Sequence, residues 1–302
     1  MGKRYLDYST CLREKYRCRV QKITVDAQFS CPNRDGSITH GGCTFCDPSA
    51  FSAPESVRRL GIIEQIRHGI MVSRVRQNPE KFLVYFQSGS NTHGPLSRLI
   101  KIYNEALSLP QVSGLCIGTR PDCVDEWKLD HLALLARTWD ITLEYGLPSI
   151  SDDTLARVNR GHDFQCLVTA LEQTSVRGIQ AGLHLILGFP WETREHWIRT
   201  ARVISKLPVN FLKIQQLDVF RNTVLGNDYQ KQKFHLFSVD EYMDLLAEFL
   251  QNLRPDIVIQ RLYGHHRKEF LLSPSFELSP AQFLARFQDL LDKKEILQGQ
   301  KY

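Results

Sequence analysis

Three cysteines lie close together in the segment CPNRDGSITHGGCTFC. They are Cys31, Cys43 and Cys46, and their spacing is C-x11-C-x2-C. Thiolates are soft ligands that suit zinc, copper(I) and iron–sulfur clusters. Disulfide frameworks belong to small secreted chains, whereas this chain has 302 residues and a basic N-terminus without the apolar stretch of a secretory signal. The segment therefore indicates a metal site.

The possible metal sites differ in the number of cysteine ligands that they need. A structural zinc ion needs four ligands, usually as two pairs, and here His40 or Cys18 would have to complete the set. A redox pair of the thioredoxin type would leave Cys31 unexplained. A 4Fe–4S cluster held by three cysteines keeps one iron free to bind a substrate or cofactor. The spacing favours the cluster, with zinc and no metal as the alternatives.

Strand and helix patterns alternate along the chain. The segments that are short and rich in β-branched or aromatic residues are 22–30, 81–88, 112–119, 139–146, 180–188 and 210–219. Helical patterns occupy 55–77, 96–108, 127–138, 152–160, 164–178 and 193–207. This alternation predicts parallel strands with right-handed crossovers. The strands are nearly continuously apolar, which predicts a sheet buried on both faces.

The number of units limits the fold. Six are too few for an eight-stranded barrel, so a partial barrel or a doubly wound sheet remains. In both, ligands bind at the carboxyl ends of the strands, where the cysteine segment begins. Beyond residue 230 the pattern changes to a helix at 240–253, a possible last strand at 256–262 and a final helix at 279–297. We predict a main unit at 1–230 and a small C-terminal extension at 231–302.

Charge and hydropathy bear on partners and location. The net charge is +5, and the first 22 residues alone carry seven basic and two acidic side chains. Such a segment could contact phosphates, although a solvated basic helix is the simpler explanation. No apolar run approaches the length of a membrane span. We therefore expect a cytoplasmic protein without membrane contact.

Four segments taken together resemble a known family. They are CPNRDGSITHGGCTFC at 31–46, CIGTRPDCV at 116–124, LARVNRGHDF at 155–164 and HLILGFPWET at 184–193. In this order they resemble a small group of bacterial radical S-adenosylmethionine proteins related to the radical half of the Elongator catalytic subunit. The resemblance implies a partial (βα)6 TIM-like barrel of the α/β class, with a small C-terminal helical extension. It also implies a 4Fe–4S cluster on Cys31, Cys43 and Cys46, whose open iron binds S-adenosylmethionine as the source of a 5′-deoxyadenosyl radical.

The resemblance further implies seven cofactor-binding residues, which are Phe45, Ser88, Gly89, Arg120, Glu144, Arg160 and Gly188. Phe45 would pack on the adenine, and Ser88 and Gly89 would bind the methionine amino group. Arg160 would pair with the methionine carboxylate, because a guanidinium fork matches that group. Gly188 would let the backbone approach the adenosine.

Two of these residues would face either the cofactor or the substrate. They are Arg120, after the third strand, and Glu144, in the fourth. Several of the roles have structural alternatives. Glu144 could be a buried hydrogen-bonded group, Gly188 a turn, and Arg160 a cation near a helix C-terminus.

The family is associated with modification of the wobble uridine of transfer RNA at carbon 5. Transfer RNA is therefore the implied partner, together with a one-electron donor such as a flavodoxin or ferredoxin. A second basic group would suit an RNA backbone. Its members are Arg261, His265, His266, Arg267 and Lys268. The alternatives are a radical enzyme that acts on a small metabolite or a protein, and a zinc-binding protein without catalytic activity.

Overall fold

Seven parallel strands form a curled sheet at the centre of the protein. The computed structural model describes residues 3–50, 52, 54–264, 266 and 269–302. In spatial order, the strands of the sheet are β1 (Val20–Val25), β2 (Lys81–Phe86), β3 (Val112–Thr119), β4 (Asp140–Leu147), β5 (Gln180–Leu187), β6 (Phe211–Gln216) and β8 (Val258–Arg261). A separate antiparallel pair is formed by β7 (Val219–Phe220) and β9 (Leu271–Ser273).

Helices connect the strands and cover the outer face of the sheet. They are α1 (Tyr8–Tyr16), α2 (Glu55–Arg58), α3 (Ile62–Gln77), α4 (Leu96–Leu107), α5 (Glu126–Ala136), α6 (Asp152–Arg157), α7 (Phe164–Ser175), α8 (Arg194–Ile204), α9 (Val224–Lys231), α10 (Val239–Gln251) and α11 (Pro280–Lys293). Within the described ranges, no helix has the length and apolar character needed to cross a membrane.

The order of the strands in space follows their order in the chain. A doubly wound sheet reverses its order at a switch point, and this sheet does not. The partial TIM-like barrel with parallel strands is therefore confirmed. The strand expected at 256–262 is β8, and it pairs in parallel with β6. Chain from both sides of residue 230 thus contributes to one sheet, and the division into 1–230 and 231–302 stays a prediction.

The outer faces of the strands carry apolar side chains, and the inner face mixes polar side chains with a small apolar cluster. Successive residues of a strand point to opposite faces. In β4, Leu143 and Tyr145 are fully buried in the core between the sheet and the helices. Glu144 lies between them in the sequence and contacts Lys22 and Lys213 across the barrel. The expectation of nearly continuously apolar strands holds for the outer face and is wrong for the inner face.

The N-terminal segment lies between the two edge strands of the open barrel. The backbone N–H of Ile259 in β8 donates to the carbonyl of Leu6 at 2.7 Å, and Asp7 forms a β-bridge with Ile259. Helix α1 then contacts both β8 and β1. It begins where the Asp7 carboxylate accepts a hydrogen bond from the N–H of Ser9 at 3.0 Å. The segment therefore covers the gap that the sheet leaves at its amino end.

Two of the element boundaries that differ from the sequence expectation are set by single residues. The helix expected at 55–77 is divided, because Gly61 has an extended backbone with φ −62° and ψ 164°. The first strand ends at Val25 rather than at residue 30. Gln28 has a left-handed φ of 55°, and its N–H bonds the carboxylate of Asp26 at 2.8 Å instead of continuing the ladder. The turn delivers the chain to the cysteine segment.

Candidate active site

A cavity of about 240 Å³ lies inside the barrel toward the carboxyl ends of the strands. Nine of the ten site residues expected from the sequence line it, namely Cys31, Cys43, Phe45, Cys46, Ser88, Gly89, Arg120, Glu144 and Arg160. Gly188 is not among the lining residues. It has a φ of 110°, and a Cβ there would lie 2.8 Å from the ring of Phe237. That packing already requires a glycine, and its role at the adenosine stays a prediction.

The three cysteines are free thiols on the loop between β1 and α2. The carbonyl of Cys31 accepts hydrogen bonds from the N–H groups of Arg34 at 2.7 Å and Asp35 at 3.1 Å. The carbonyl of Cys43 accepts one from the N–H of Cys46 at 3.0 Å. Across the described residues, no three His, Cys, Asp or Glu side chains are placed to hold a single metal ion. All three cysteines line one cavity.

Two N–H donors lie beside the sulfur of Cys43. Asn33 Nδ2 is 3.6 Å and Arg160 Nη1 is 3.7 Å from Cys43 Sγ. The buried Asn33 also donates to the carbonyl of Arg160 at 2.9 Å, which ties the cysteine loop to the loop after α6. Arg160 Nη2 donates to the carbonyl of Gly146 at 2.7 Å. Such donors stabilise metal-bound thiolates, so this arrangement fits an iron–sulfur cluster held by three cysteines.

The loop after β2 packs against the chain that leads into the cysteines. Ser88 and Gly89 both have positive φ, at 76° and 69°. A Cβ at Gly89 would lie 2.2 Å from the carbonyl oxygen of Phe29. The N–H of Ser90 donates to the carbonyl of Ser30 at 2.9 Å. This close approach fixes the loop beside the cysteines, where it can offer polar groups to a small ligand.

Arg120 follows β3 and is buried at the same end of the cavity. Its Nε and Nη2 donate to the carboxylate of Asp122 at 2.8 and 2.6 Å. Its Nη1 is buried and has no hydrogen-bond partner in the described part of the chain. Leaving such a donor unpaired is costly. Arg120 is therefore suited to bind an oxygen atom of a ligand.

Glu144 lies at the centre of a charged network inside the barrel, which the sequence analysis missed. Its Oε1 accepts a hydrogen bond from Lys22 Nζ at 2.8 Å, and its Oε2 lies 2.8 Å from His184 Nε2. Lys213 Nζ also donates to Oε2. The Glu144 side chain is 1% exposed, and those of Lys22 and Lys213 are 19% and 10% exposed. The Lys213 Nζ lies 4.0 Å from the ring centroid of Tyr85.

Burial and mutual attraction set the charges of this network. Burial would raise the pKa of Glu144, but Lys213 and Lys22 outweigh it and hold that pKa well below its ordinary value. Burial lowers the pKa of Lys213 to about 7 against the attraction of Glu144. Burial, followed by repulsion from Lys213, lowers the pKa of His184 to about 4, although 29% of this side chain faces the cavity. At neutral pH, Glu144 is therefore ionised and His184 is neutral.

The sequence signal for the missed residues is the position of each within its strand. Lys22 in VQKITV, His184 in QAGLHLIL and Lys213 in FLKIQQ each have apolar residues at the next position of the strand. Since side chains alternate between faces, a polar residue at such a position marks the opposite face from the apolar core. Separate reading of the two faces would have placed these residues on the inner face, although it would not have shown which of them pair.

Comparisons with known proteins agree with this site. The radical SAM superfamily profile matches residues 35–204, and the Radical_SAM C-terminal domain profile matches residues 209–293. The chain is 31% identical over 297 residues to the uncharacterized protein YtqA of Bacillus subtilis (strain 168), covering 98% of this chain and 92% of YtqA. It is 25% identical over 136 residues to a tRNA uridine(34) acetyltransferase of Methanocaldococcus infernus, covering 44% of this chain and 25% of that protein.

The fold is shared with a solved structure as well. The archaeal Methanocaldococcus infernus Elp3 with an N-terminal deletion matches with a TM-score of 0.70 at 16% identity. The match covers 92% of this chain, which spans 64% of the Elp3 chain. The family's cofactors are a 4Fe–4S cluster and S-adenosylmethionine, which the three free thiols and their donors fit. The chain belongs to the radical S-adenosylmethionine superfamily and is an enzyme of that type.

Proposed function

We propose that this enzyme modifies the wobble uridine of transfer RNA by radical chemistry. One observation carries the chemistry: three free cysteines, with two N–H donors at Cys43, line a cavity enclosed by the barrel. The transfer RNA substrate is supported by the relative named tRNA uridine(34) acetyltransferase and by the fold shared with Elp3. The site thus supports the reaction type, and the relatives support the substrate.

The cysteine loop supplies the metal ligands in this proposal. Cys31, Cys43 and Cys46 would hold the cluster. When bound, the cluster and S-adenosylmethionine supply a carbon-centred radical that abstracts hydrogen from an unactivated carbon. Asn33 and Arg160 donate toward the Cys43 sulfur and stabilise its negative charge. A one-electron donor such as a flavodoxin or ferredoxin would reduce the cluster, and the reaction would take place in the cytoplasm.

The rest of the cavity orients the reacting groups. Ser88, Gly89 and the free Nη1 of Arg120 would bind the polar groups of the methionine part. Phe45 would bind the adenine, with its ring packed edge-on against Phe189 at a centroid distance of 5.9 Å. The barrel wall would limit the access of bulk water to the reacting groups, which prevents side reactions.

The basic N-terminal segment gives little support for RNA binding. It forms the ion pairs Lys3–Asp7, Arg4–Asp292, Lys15–Asp140 and Lys22–Glu144. Helix α1 also covers the amino end of the barrel, away from the cysteines.

The second basic group gives little support either. Arg261 lines the cavity, and His266 lies buried 3.1 Å from Asp218. His265, Arg267 and Lys268 lie outside the described residues. In this proposal the anticodon would enter at the mouth of the cavity, with its wobble base toward the cysteines that line it.

Transfer RNA from cells with and without the gene tests the substrate. We expect nucleoside mass spectrometry to show the loss of one wobble uridine substituted at carbon 5. The wild-type gene should restore it, and a Cys43→Ala variant should not. Cys18→Ala is the matched control, because Cys18 is a free thiol that does not line the cavity. An unchanged nucleoside profile would contradict the transfer RNA substrate.

The purified Cys43→Ala protein tests the ligand assignment separately. We expect it to remain folded, to lose most of its iron and acid-labile sulfide, and to form no 5′-deoxyadenosine under reducing anaerobic conditions. Cys18→Ala should match the wild type in both measurements. Undiminished 5′-deoxyadenosine formation by Cys43→Ala would refute the role of this cysteine.

A further inference from the structure

Three basic side chains share two carboxylates on the inner wall of the barrel. Lys22 of β1 and Lys213 of β6 both pair with Glu144 of β4. Arg261 of β8 lines the cavity together with Glu144, and its charge acts on the buried carboxylate of Asp218. Buried charges need partners, and one carboxylate is shared by two lysines, so a protonated Lys213 leaves this wall able to accept a further anion.

Arg261 has hydrogen-bonding capacity to spare. Its Nη2 donates to the side-chain oxygen of Gln215, and its buried Nε has no partner among the described residues. The nearby carboxylate of Asp218 is already engaged, because it accepts from Gln216 Nε2 at 3.0 Å and lies 3.1 Å from His266. A guanidinium group with a free donor at a cavity wall is suited to bind an oxygen anion.

The strand register places the cations side by side. Lys213 of β6 is aligned with His184 of β5 on one side and with Arg261 of β8 on the other. Lys213 and Arg261 therefore project from adjacent strands whose backbones are about 4.8 Å apart, and their like charges repel each other. The lowered pKa of Lys213 agrees with this repulsion, since Lys22 and Arg261 add to the effect of burial. An anion between Lys213 and Arg261 would relieve the repulsion.

Two glycines flank Glu144 in the sheet. Gly118 of β3 and Gly182 of β5 are its register partners, and a Cβ at these positions would lie 3.1 Å from a backbone carbonyl oxygen and 3.3 Å from a neighbouring Cβ, respectively. Glu144 and Arg261 line the same cavity as the three cysteines, so part of a substrate can reach this end of it. Lys213 is 10% exposed and is the register neighbour of Arg261.

We propose that Lys213 and Arg261 form a subsite for an anionic oxygen group, a carboxylate or a phosphate, on the substrate. This subsite rests on the function proposed above. Lys22 and Glu144 hold Lys213 in position and provide the countercharge before the substrate binds. The cysteine end of the cavity has its own guanidinium groups for the cofactor carboxylate, so the inner cations are left for the substrate. The anion comes either from an acidic side chain at carbon 5 of the uridine or from a nucleotide phosphate.

Small anions test the subsite without RNA. Acetate and inorganic phosphate are titrated by calorimetry into the reconstituted holoenzyme. We expect the wild type to bind at least one of them, and Arg261→Gln to bind it about 10- to 100-fold more weakly, as for the loss of one charge-assisted hydrogen bond. Arg199→Gln is the matched control, since Arg199 is exposed on α8, and it should bind like the wild type.

Two anticodon stem–loops distinguish the sources of the anion. One carries 5-carboxymethyluridine at the wobble position, and the other carries the neutral 5-carbamoylmethyluridine. With an acidic side chain as the source, the wild type binds the carboxylate form about 10-fold or more tightly than the amide. That preference should vanish in Arg261→Gln and in Lys213→Gln. Equal binding of both stem–loops, with phosphate bound in the calorimetry, assigns the subsite to a nucleotide phosphate.

The failure of this subsite and that of the transfer RNA function give different results. If the wild type binds neither small anion and does not distinguish the two stem–loops, the subsite is overturned while RNA binding stands. If no stem–loop binds but the small anions do, the transfer RNA substrate is overturned while the subsite stands. Should Lys213→Gln fail to fold, Arg261→Gln alone decides both measurements, because Arg261 does not pair with Glu144.

Discussion

Replacement of Glu144 by glutamine removes the countercharge of two buried lysines. Lys22 and Lys213 both bond its carboxylate, which is 1% exposed. Breaking a buried ion pair by removing one partner costs about 3–5 kcal/mol, because the other charge remains buried and unpaired. At pH 8 we expect the lower end, about 3 kcal/mol of unfolding free energy, because Lys213 can then be neutral.

The cost of Glu144→Gln depends on pH through Lys213. Its pKa of about 7 lies below the value of about 10.4 in an unfolded chain, so wild-type stability falls as the pH drops from about 10.4 to 7, and below pH 7 Lys213 is charged in both states. Loss of the Glu144 carboxylate lowers this pKa further. Between the two pKa values the folded wild type binds one proton more than the folded variant. The difference in unfolding free energy therefore grows as pH falls below 7, by about 1.4 kcal/mol per pH unit, and levels off below the variant's pKa.

Urea unfolding at pH 6 and pH 8 measures both effects. Glu248→Gln is the matched control, because Glu248 pairs with Arg194 at 2.6 Å on the protein surface. Such a pair contributes about 1 kcal/mol or less. A cost below about 1 kcal/mol for Glu144→Gln, or an equal cost at the two pH values, would refute a buried network in which Lys213 titrates near pH 7.

Two further substitutions test the walls of the cysteine site. Asn33→Ala removes a buried amide that bonds the Arg160 carbonyl and the Cys43 sulfur. We expect the unfolding free energy to fall by about 1–3 kcal/mol and the midpoint potential of the cluster to fall as well. An unchanged potential, in a redox titration followed by electron paramagnetic resonance, would speak against the N–H···S contact. Gly89→Ala places a methyl group 2.2 Å from a backbone carbonyl oxygen at a φ of 69°. We expect the unfolding free energy to fall by more than the roughly 1–3 kcal/mol that backbone strain alone would cost. We also expect weaker S-adenosylmethionine binding in equilibrium dialysis. Gly178→Ala shares that φ but meets nothing within 4 Å, so equal effects of the two glycine substitutions would contradict the steric argument.

Local pattern was sufficient for the parallel sheet and for the cysteine loop. These predictions depend only on the periodicity of strands and helices and on the spacing of cysteines, which are properties of short segments. The structure contains the predicted parallel strands and places the three cysteines on one loop. The break at Gly61 and the early end of β1 were missed because a single backbone angle decides them. Gly188 shows a related limit, since a glycine after a strand suits ligand approach and aromatic packing equally well.

The inner charges could not be assigned from local pattern alone. A lysine in a strand gives the same signal whether it faces solvent or a carboxylate, and Lys22 finds Glu144 at a separation of 122 residues. The basic N-terminal segment shows the same limit. Four of its charges have acidic partners, and three of these partners lie elsewhere in the fold.

The contact between the first residues and β8 has a consequence for biosynthesis. Leu6 meets Ile259 through its carbonyl and Gln298 through its N–H, and the second contact joins positions 292 residues apart. A nascent chain that leaves the ribosome has its first strands long before β8 exists to pair with the N-terminal segment. Unpaired strand edges attract other chains. The growing polypeptide therefore exposes unpaired strand edges through almost all of its translation. We expect protection by chaperones to matter most in that interval.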